Sequence, residues 1–434
     1  MARSGDFITP RLDGAAWFEK PPLLYWMTAL GHRAGLPDEW AARLPVALVS
    51  LAFLLFFYST VEREFSTSVA TAATAILATS AGWAAFSFVA VPDLPMSAAL
   101  GAAVLIALFD THPGRGWVAG GLLGLAILAK GFVPVVLIAP VFLIARRKRL
   151  AILTGAAIVA GPWILMCYLK NSAEFWNDFF WKQHIERFFR PTLEHVQPVW
   201  FYLPILAFLA LPWTPLILLT ARSKTFEDVR VRTLLWYLLF GFVFFSLSRN
   251  KLPGYLLPLM PALAIILAHA LNRLPGMSGA EESRAPAWWI TACTLPLVAI
   301  PTVARMLPDA LLSGITKVSF SLGLALPFLM ASGVVFAMGW IYRPQLAMLL
   351  AALTVAVGIG YLKTIVLPAL DQRTSVRVFW NSNQPGASNA CLEGVRRDWE
   401  YGLNYYAQHR LPPCSATAPY KIDVQNGRLH LDAR

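Results

Sequence analysis

The run with the most chemistry in it is Phe18-Glu19-Lys20-Pro21-Pro22-Leu23. A carboxylate and an ammonium stand side by side, and the two prolines behind them fix a rigid, extended path into apolar sequence. Such a pair either binds a polar group at a membrane surface or anchors the chain there through a snorkelling lysine. Asp93, in Val91-Pro92-Asp93-Leu94-Pro95, stands between two apolar blocks, where an acid either serves function or caps a turn. Glu19 and Asp93 together offer oxygen ligands of the kind Mg²⁺ or Mn²⁺ prefers, so a divalent metal ion is a candidate cofactor. His184 and Arg187, in His184-Ile185-Glu186-Arg187, are three apart and share a face of a helix. That face suits either a phosphate oxygen or solvent. Arg249-Asn250-Lys251-Leu252-Pro253-Gly254-Tyr255 offers Lys251 and Tyr255 as candidate ligands for the phosphate at the head of a lipid. Lys130 lies between two short apolar stretches, where an ammonium needs an anion or carbonyls. No Walker loop, dinucleotide fingerprint, HExxH or G-x-S-x-G motif is present.

The elements that must position these residues follow from composition. Of 434 residues, 57% are hydrophobic and 14% charged, against about 25% charged in soluble domains. This excludes a disordered chain, a disulfide-scaffold peptide and an ordinary cytosolic enzyme, and leaves a polytopic helical membrane protein. Reading about 20 apolar residues per crossing places spans near 41–61, 67–90, 94–109, 117–130, 132–145, 150–169, 199–220, 233–248, 255–271, 287–306, 319–341 and 345–367. Arg146-Arg147-Lys148-Arg149 and the basic residues between Arg222 and Arg232 mark cytoplasmic loops. Counting outward puts segment 1–40, the loop 170–198 and the tail 368–434 on the opposite side. The predicted outer loops still carry Lys20, Arg33, Lys182, Arg187, Arg190, Arg249 and Lys251. Either the topology fails there, or those cations serve an anionic ligand, the reading favoured here. The net charge of +12 likewise calls for anionic partners, phospholipid or phosphorylated substrate. Basic residues scattered between apolar spans argue against nucleic acid.

Three domains are expected: a juxtamembrane segment 1–40, a transmembrane domain 41–367 and a small tail 368–434. Segment 170–198, with Phe175, Trp176, Phe179, Phe180, Trp181, Phe188 and Phe189 among charges, reads as an amphipathic helix in the interface. Cys391 and Cys414 lie in the tail and either pair in an oxidising compartment or stay free.

Taken in order, SGDFITPRLDGAAWFEKPPLLYW, EWAARLP, VPDLPM, LAKGFVP, HIERF and SRNKLPGYLLP, over about residues 4–265, resemble the polyprenyl-phosphate-sugar-dependent glycosyltransferases of the GT-C fold. The likeness is greatest to bacterial aminoarabinose (lipid A) transferases, of glycosyltransferase family 39 and the protein O-mannosyltransferase superfamily. The resemblance implies an all-α polytopic protein of the bacterial inner membrane with its site facing the periplasm. The donor would be a polyprenyl-phosphate-linked sugar, and the acceptor lipid A, another lipid or glycan, or protein. It places Glu19 and Lys20 in the donor and metal region and gives Asp93 the second acidic position. His184, Arg187, Lys251 and Tyr255 would cradle the lipid phosphate or sugar, with Lys130 nearby. Such enzymes open with a further transmembrane helix and an acidic loop whose aspartate is the expected catalytic acid. The present sequence starts just before the SGDF stretch, so the resemblance leads to the expectation of a late or truncated start and impaired activity. The competing classes are a transporter or flippase of a lipid-linked sugar, whose inverted repeats are not visible, and a non-catalytic lipid-binding relative.

Overall fold

Backbone groups in hydrocarbon must bond within their own segment, so long apolar runs become helices. The computed structural model describes residues 1–2, 4–112, 114–186, 196–221, 224–277, 283–313, 318–414, 418–425 and 427–433. All twelve expected spans fall on helix. Seven helical stretches are long and apolar enough to cross a membrane: Asp38–Glu64, Arg146–Glu186, Val229–Leu247, Pro253–Asn272, Ala285–Leu311, Leu322–Trp340 and Pro344–Thr374. The other five expected spans, near 67–90, 94–109, 117–130, 132–145 and 199–220, are shorter or broken helices. Ser80 divides the first of them, its backbone extended at ψ 140. Pro212, after a cis peptide bond, and Pro215 divide the last. The chain is a multi-pass helical membrane protein.

The chain groups into two compact units. The first comprises Met1–Arg11, Ala16–Leu297 and Pro327–Ala356. Its helices begin with α1 (Leu23–Arg33), α2 (Asp38–Glu64), α3 (Thr67–Thr79) and α4 (Ala81–Phe86). There follow α5 (Asp93–Phe109), α6 (Arg115–Lys130), α7 (Val133–Ile144) and α8 (Arg149–Phe175). Helix α2 shows why such a sequence chooses its facing. Val46, Phe53, Phe57 and Val61 are buried, while Leu48, Leu51 and Leu55 are more than half exposed. The two sets alternate at helical spacing. In water three exposed leucines in one stripe would be a liability, and in a bilayer they are the lipid face. The buried stripe meets α4, where the Phe53 and Trp83 rings lie 5.1 Å apart. Helix α5 is buried on nearly all sides, Ala-rich and closely surrounded by α2, α6 and α7. At 17 residues it is about 25 Å long, short of a full crossing, which protein rather than lipid around it makes tolerable.

Helix α8 breaks at Ser172 (φ 50°, ψ −131°) and passes into a π-helix, Trp176–Glu186. Phe175 and Phe179 stack at 5.1 Å and are buried against Trp163, while Trp176 and Trp181 stay about half exposed. The described part of the expected interfacial segment is therefore amphipathic, as its composition suggested.

The second unit comprises Leu12–Ala15, Val298–Leu326 and Val357–Arg434. Strand Ala390–Leu392 pairs in parallel with Tyr420–Gln425, which pairs antiparallel with Arg428–Ala433. Helices Val376–Ser382 and Arg397–Ala407 accompany the sheet, and Trp380, Trp399, Leu403 and Ile422 lie in a common core. The tail is thus a small α/β fold. Cys391 and Cys414 are disulfide-bonded, and Cys167 and Cys293 are buried free thiols. Closing that loop constrains the unfolded tail by about 3 kcal/mol. A Cys391→Ala/Cys414→Ala chain should therefore show faster hydrogen exchange across 376–433, with α2 to α6 unchanged.

Candidate active site

Helices α5 and α6 are antiparallel neighbours, so the start of α5 and the end of α6 lie at one level. Asp93 opens α5 and Lys130 closes α6. A carboxylate at a helix N-terminus and an ammonium at a C-terminus each complement the local dipole. The two side chains pair at 2.5 Å and are only 16% and 12% exposed. The Lys130 ammonium also lies 4.6 Å from the centroid of the Tyr255 ring, a cation–π contact. Gly254 is required here: a Cβ at this position would stand 2.9 Å from Asp93 Oδ1 and 2.7 Å from the Phe86 ring.

This pair forms one wall of a cavity of about 560 Å³. Glu19 and Lys20 face the same space, and Lys20 Nζ donates to Glu19 Oε1 at 3.1 Å. Gln183, His184, Ser248, Asn250 and Tyr255 add to the polar side. Val91, Met96, Val133, Val136, Phe180, Phe244 and Leu252 make the rest apolar. Such a space suits a long apolar chain that ends in an anion. Of the residues singled out in the sequence, Glu19, Lys20, Asp93, Lys130, His184 and Tyr255 are brought together. Arg187 lies outside the described residues.

Lys251 is placed apart from these. It is 4% exposed and does not line the cavity. Its ammonium donates to the carbonyl oxygen of Ser248 and, at 3.0 Å, to that of Gln197. Burial holds its pKa below the usual lysine range. The backbone needs this cation because Ser248 and Gln197 lie where helical bonding has stopped. Lys251→Met should accordingly lower thermal stability by about 1–3 kcal/mol while leaving lipid-phosphate affinity within a few-fold.

The metal expectation also meets the geometry. Glu19 and Asp93 each already face an ammonium. Among the described residues no group of three His, Cys, Asp or Glu side chains converges. As arranged, both carboxylates are engaged in ion pairs.

The SGDF stretch proves to be a clasp. Asp6 Oδ1 accepts from the Ile8 and Thr9 amides, both at 3.1 Å, and Oδ2 from Lys170 Nζ at 2.9 Å. The indole N–H groups of Trp26 and Trp163 donate to the carbonyls of Phe7 and Ile8. Partial burial pushes the Asp6 pKa up, but the Lys170 ammonium and the two amides outweigh it and hold it at about 2. Stability from this depressed pKa is complete above the ordinary value of 3.8 and is lost as pH falls through about 2. Hydrogen exchange of residues 6–11 should accelerate on going from pH 5 to pH 2.5 beyond its intrinsic pH dependence. An Asp6→Asn chain should lack that excess.

Sequence reasoning passed over Gln183, Asn250 and Gly254. The first two carry no motif signal. Gly254 did have one, a Pro-Gly pair at the mouth of an apolar stretch.

Comparison with known proteins bears on this geometry. The dolichyl-phosphate-mannose-protein mannosyltransferase family model matches residues 19–169. An undecaprenyl phosphate-alpha-4-amino-4-deoxy-L-arabinose arabinosyl transferase of Pseudomonas aeruginosa is 33% identical over 297 residues, covering 62% of this chain and 53% of the relative. A second such transferase, of Pseudomonas fluorescens, is 31% identical over 363 residues, covering 78% of this chain and 60% of the relative. The chain therefore spans a little over half the length of these relatives. The crystal structure of ArnT from Cupriavidus metallidurans bound to undecaprenyl phosphate superposes with a TM-score of 0.72 at 22% identity, covering 96% of this chain and 80% of that one. The chain shares the ArnT fold. The apo form of ArnT gives the same TM-score at 23% identity. The GT-C resemblance read from the motifs is thus borne out in sequence and in fold. The Asp93–Lys130 pair falls inside the family match, as do Glu19 and Lys20.

Proposed function

We propose that the chain is an integral-membrane glycosyltransferase that moves a sugar from a polyprenyl-phosphate donor to a lipid or glycan acceptor at the periplasmic face of a bacterial inner membrane. The observation that carries this is one cavity in which apolar walls meet two ammonium groups and two carboxylates. A prenyl chain would lie along Val133, Val136 and Phe244, with its phosphate toward Lys20 and Lys130. The activity of the relatives, which are undecaprenyl phosphate-alpha-4-amino-4-deoxy-L-arabinose arabinosyl transferases, supports that class of donor. So does the undecaprenyl phosphate held by the ArnT structure.

The orientation has its own support. Lys148, in the basic run Arg146–Arg149, donates to the carbonyls of Ile106 and Ala107, near the end of α5 opposite Asp93. A cytoplasmic basic loop at that end leaves Asp93 toward the outside. The tail disulfide fits an oxidising compartment.

In the reaction the bond from the anomeric carbon to the phosphate oxygen breaks and a bond to the acceptor oxygen forms on the opposite face. Negative charge grows on the departing phosphate, and Lys20 and Lys130 stabilise it in a poorly hydrated site. A hydroxyl acceptor gives up its proton to a carboxylate. Glu19 is the more accessible, at 37% side-chain exposure against 16% for Asp93. Asp93 holds Lys130 in place.

The test is binding of undecaprenyl phosphate to the chain in lipid nanodiscs, with undecaprenol as control. Saturable binding of the phosphate, weakened at least about tenfold by Lys20→Met, supports the site. Equal affinity for undecaprenol contradicts it.

A further inference from the structure

One side chain fastens the π-helix Trp176–Glu186 to the turn that follows Lys130. His184 Nδ1 lies 2.7 Å from the carbonyl oxygen of Phe179, and Nε2 lies 2.9 Å from the backbone N of Phe132. A carbonyl oxygen only accepts and a backbone N–H only donates, so these partners assign a neutral ring with its proton on Nδ1. The turn is built to receive it. Gly131 has φ +83°, and a Cβ there would stand 2.2 Å from His184 Nε2. The rings of Phe132, Phe179 and Phe180 surround the imidazole at 5.5, 5.2 and 6.2 Å between centroids. A cationic phosphate ligand would need a donor at Nε2, and that donor would face the Phe132 N–H.

We propose that His184 is a positioning residue and not a phosphate ligand. As a neutral acceptor it locks the Lys130-Gly131-Phe132 turn to the π-helix and fixes where Lys130 presents its ammonium to the donor phosphate. The functional consequence rests on the reading of the cavity above; the lock itself does not. A glycine at positive φ leaves the turn free to shift once the anchor goes, and a displacement of about 1 Å in a positioning group is enough to cost affinity and rate.

Three variants of the full chain separate the two roles. His184→Gln keeps an acceptor and a donor at similar reach, His184→Arg supplies a permanent cation with no acceptor, and His184→Phe keeps only the ring packing. The first readout is hydrogen exchange of the Phe132 amide in nanodiscs without added lipid phosphate. Exchange in the Gln chain should stay within about threefold of the parent, and in the Arg and Phe chains it should be about tenfold faster or more. The second readout is undecaprenyl phosphate affinity, near parental for Gln and about tenfold weaker for Arg and Phe. An Arg chain whose Phe132 amide exchanges no faster than that of the Gln chain, or that binds undecaprenyl phosphate as tightly as the Gln chain or more tightly, overturns the proposal. If the parent chain takes up no undecaprenyl phosphate, the reading of the cavity fails, and the amide exchange alone decides whether His184 holds the turn.

Discussion

A Lys130→Met chain loses its hold on a lipid phosphate and is destabilised by about 3–5 kcal/mol. The size follows from what is left behind. Asp93 is 16% exposed, and the substitution strips an ammonium from 2.5 Å away without supplying another donor. Breaking one partner of a buried pair costs more than the pair contributes, because the remaining charge is stranded. Asp93→Asn in the same background should restore most of the lost stability, since both charges are then gone. It should not restore phosphate binding, which needs the cation. Thermal unfolding in detergent and phosphate-lipid affinity, measured on the two single variants and the double, give the full cycle. Full recovery of binding in the double variant would remove Lys130 from the phosphate site.

Glu19→Gln behaves differently. Its carboxylate is 37% exposed and its ammonium neighbour is the next residue, so stability should change by less than about 1 kcal/mol. Turnover on a hydroxyl acceptor should fall about 10²–10⁴-fold, the scale of a lost general base. Donor affinity should hold within a few-fold, since Lys20 and Lys130 remain. Single-turnover rates at saturating donor separate the two quantities. Equal losses in affinity and in rate would make Glu19 a binding group and leave the proton to another acceptor.

Much of this site was legible because prolines and glycines mark helix ends, and helix ends are where the site is. The runs around Glu19, Asp93, Lys130 and Tyr255 each sit at such a boundary, and counting spans puts them on one side. What spacing could not show is contact across distant sequence. Asp93 and Lys130 are 37 positions apart, and nothing in either run says that the two side chains pair. Lys251 and Tyr255 are four apart, the spacing of one helix face. The chain there is extended at Leu252 and then 3-10 from Pro253, so Tyr255 lines the cavity while Lys251 is turned to backbone carbonyls. The main-chain partners of His184 are likewise invisible in a motif. The tail did carry a readable signal that composition obscured. Tyr420–Gln425 and Arg428–Ala433 alternate in polarity about Asn426-Gly427, the strongest short-range sign of a hairpin, and the two strands pair in that register.

The most direct measurement supplies the purified chain, reconstituted in liposomes, with an undecaprenyl-phosphate-linked sugar and a lipid acceptor, and follows donor, product and released undecaprenyl phosphate together. The account predicts one undecaprenyl phosphate released for each sugar transferred, with both signals abolished by Lys130→Met and reduced at least about a hundredfold by Glu19→Gln. Intact donor carried from one leaflet to the other, with no sugar transferred and no undecaprenyl phosphate released, would contradict it.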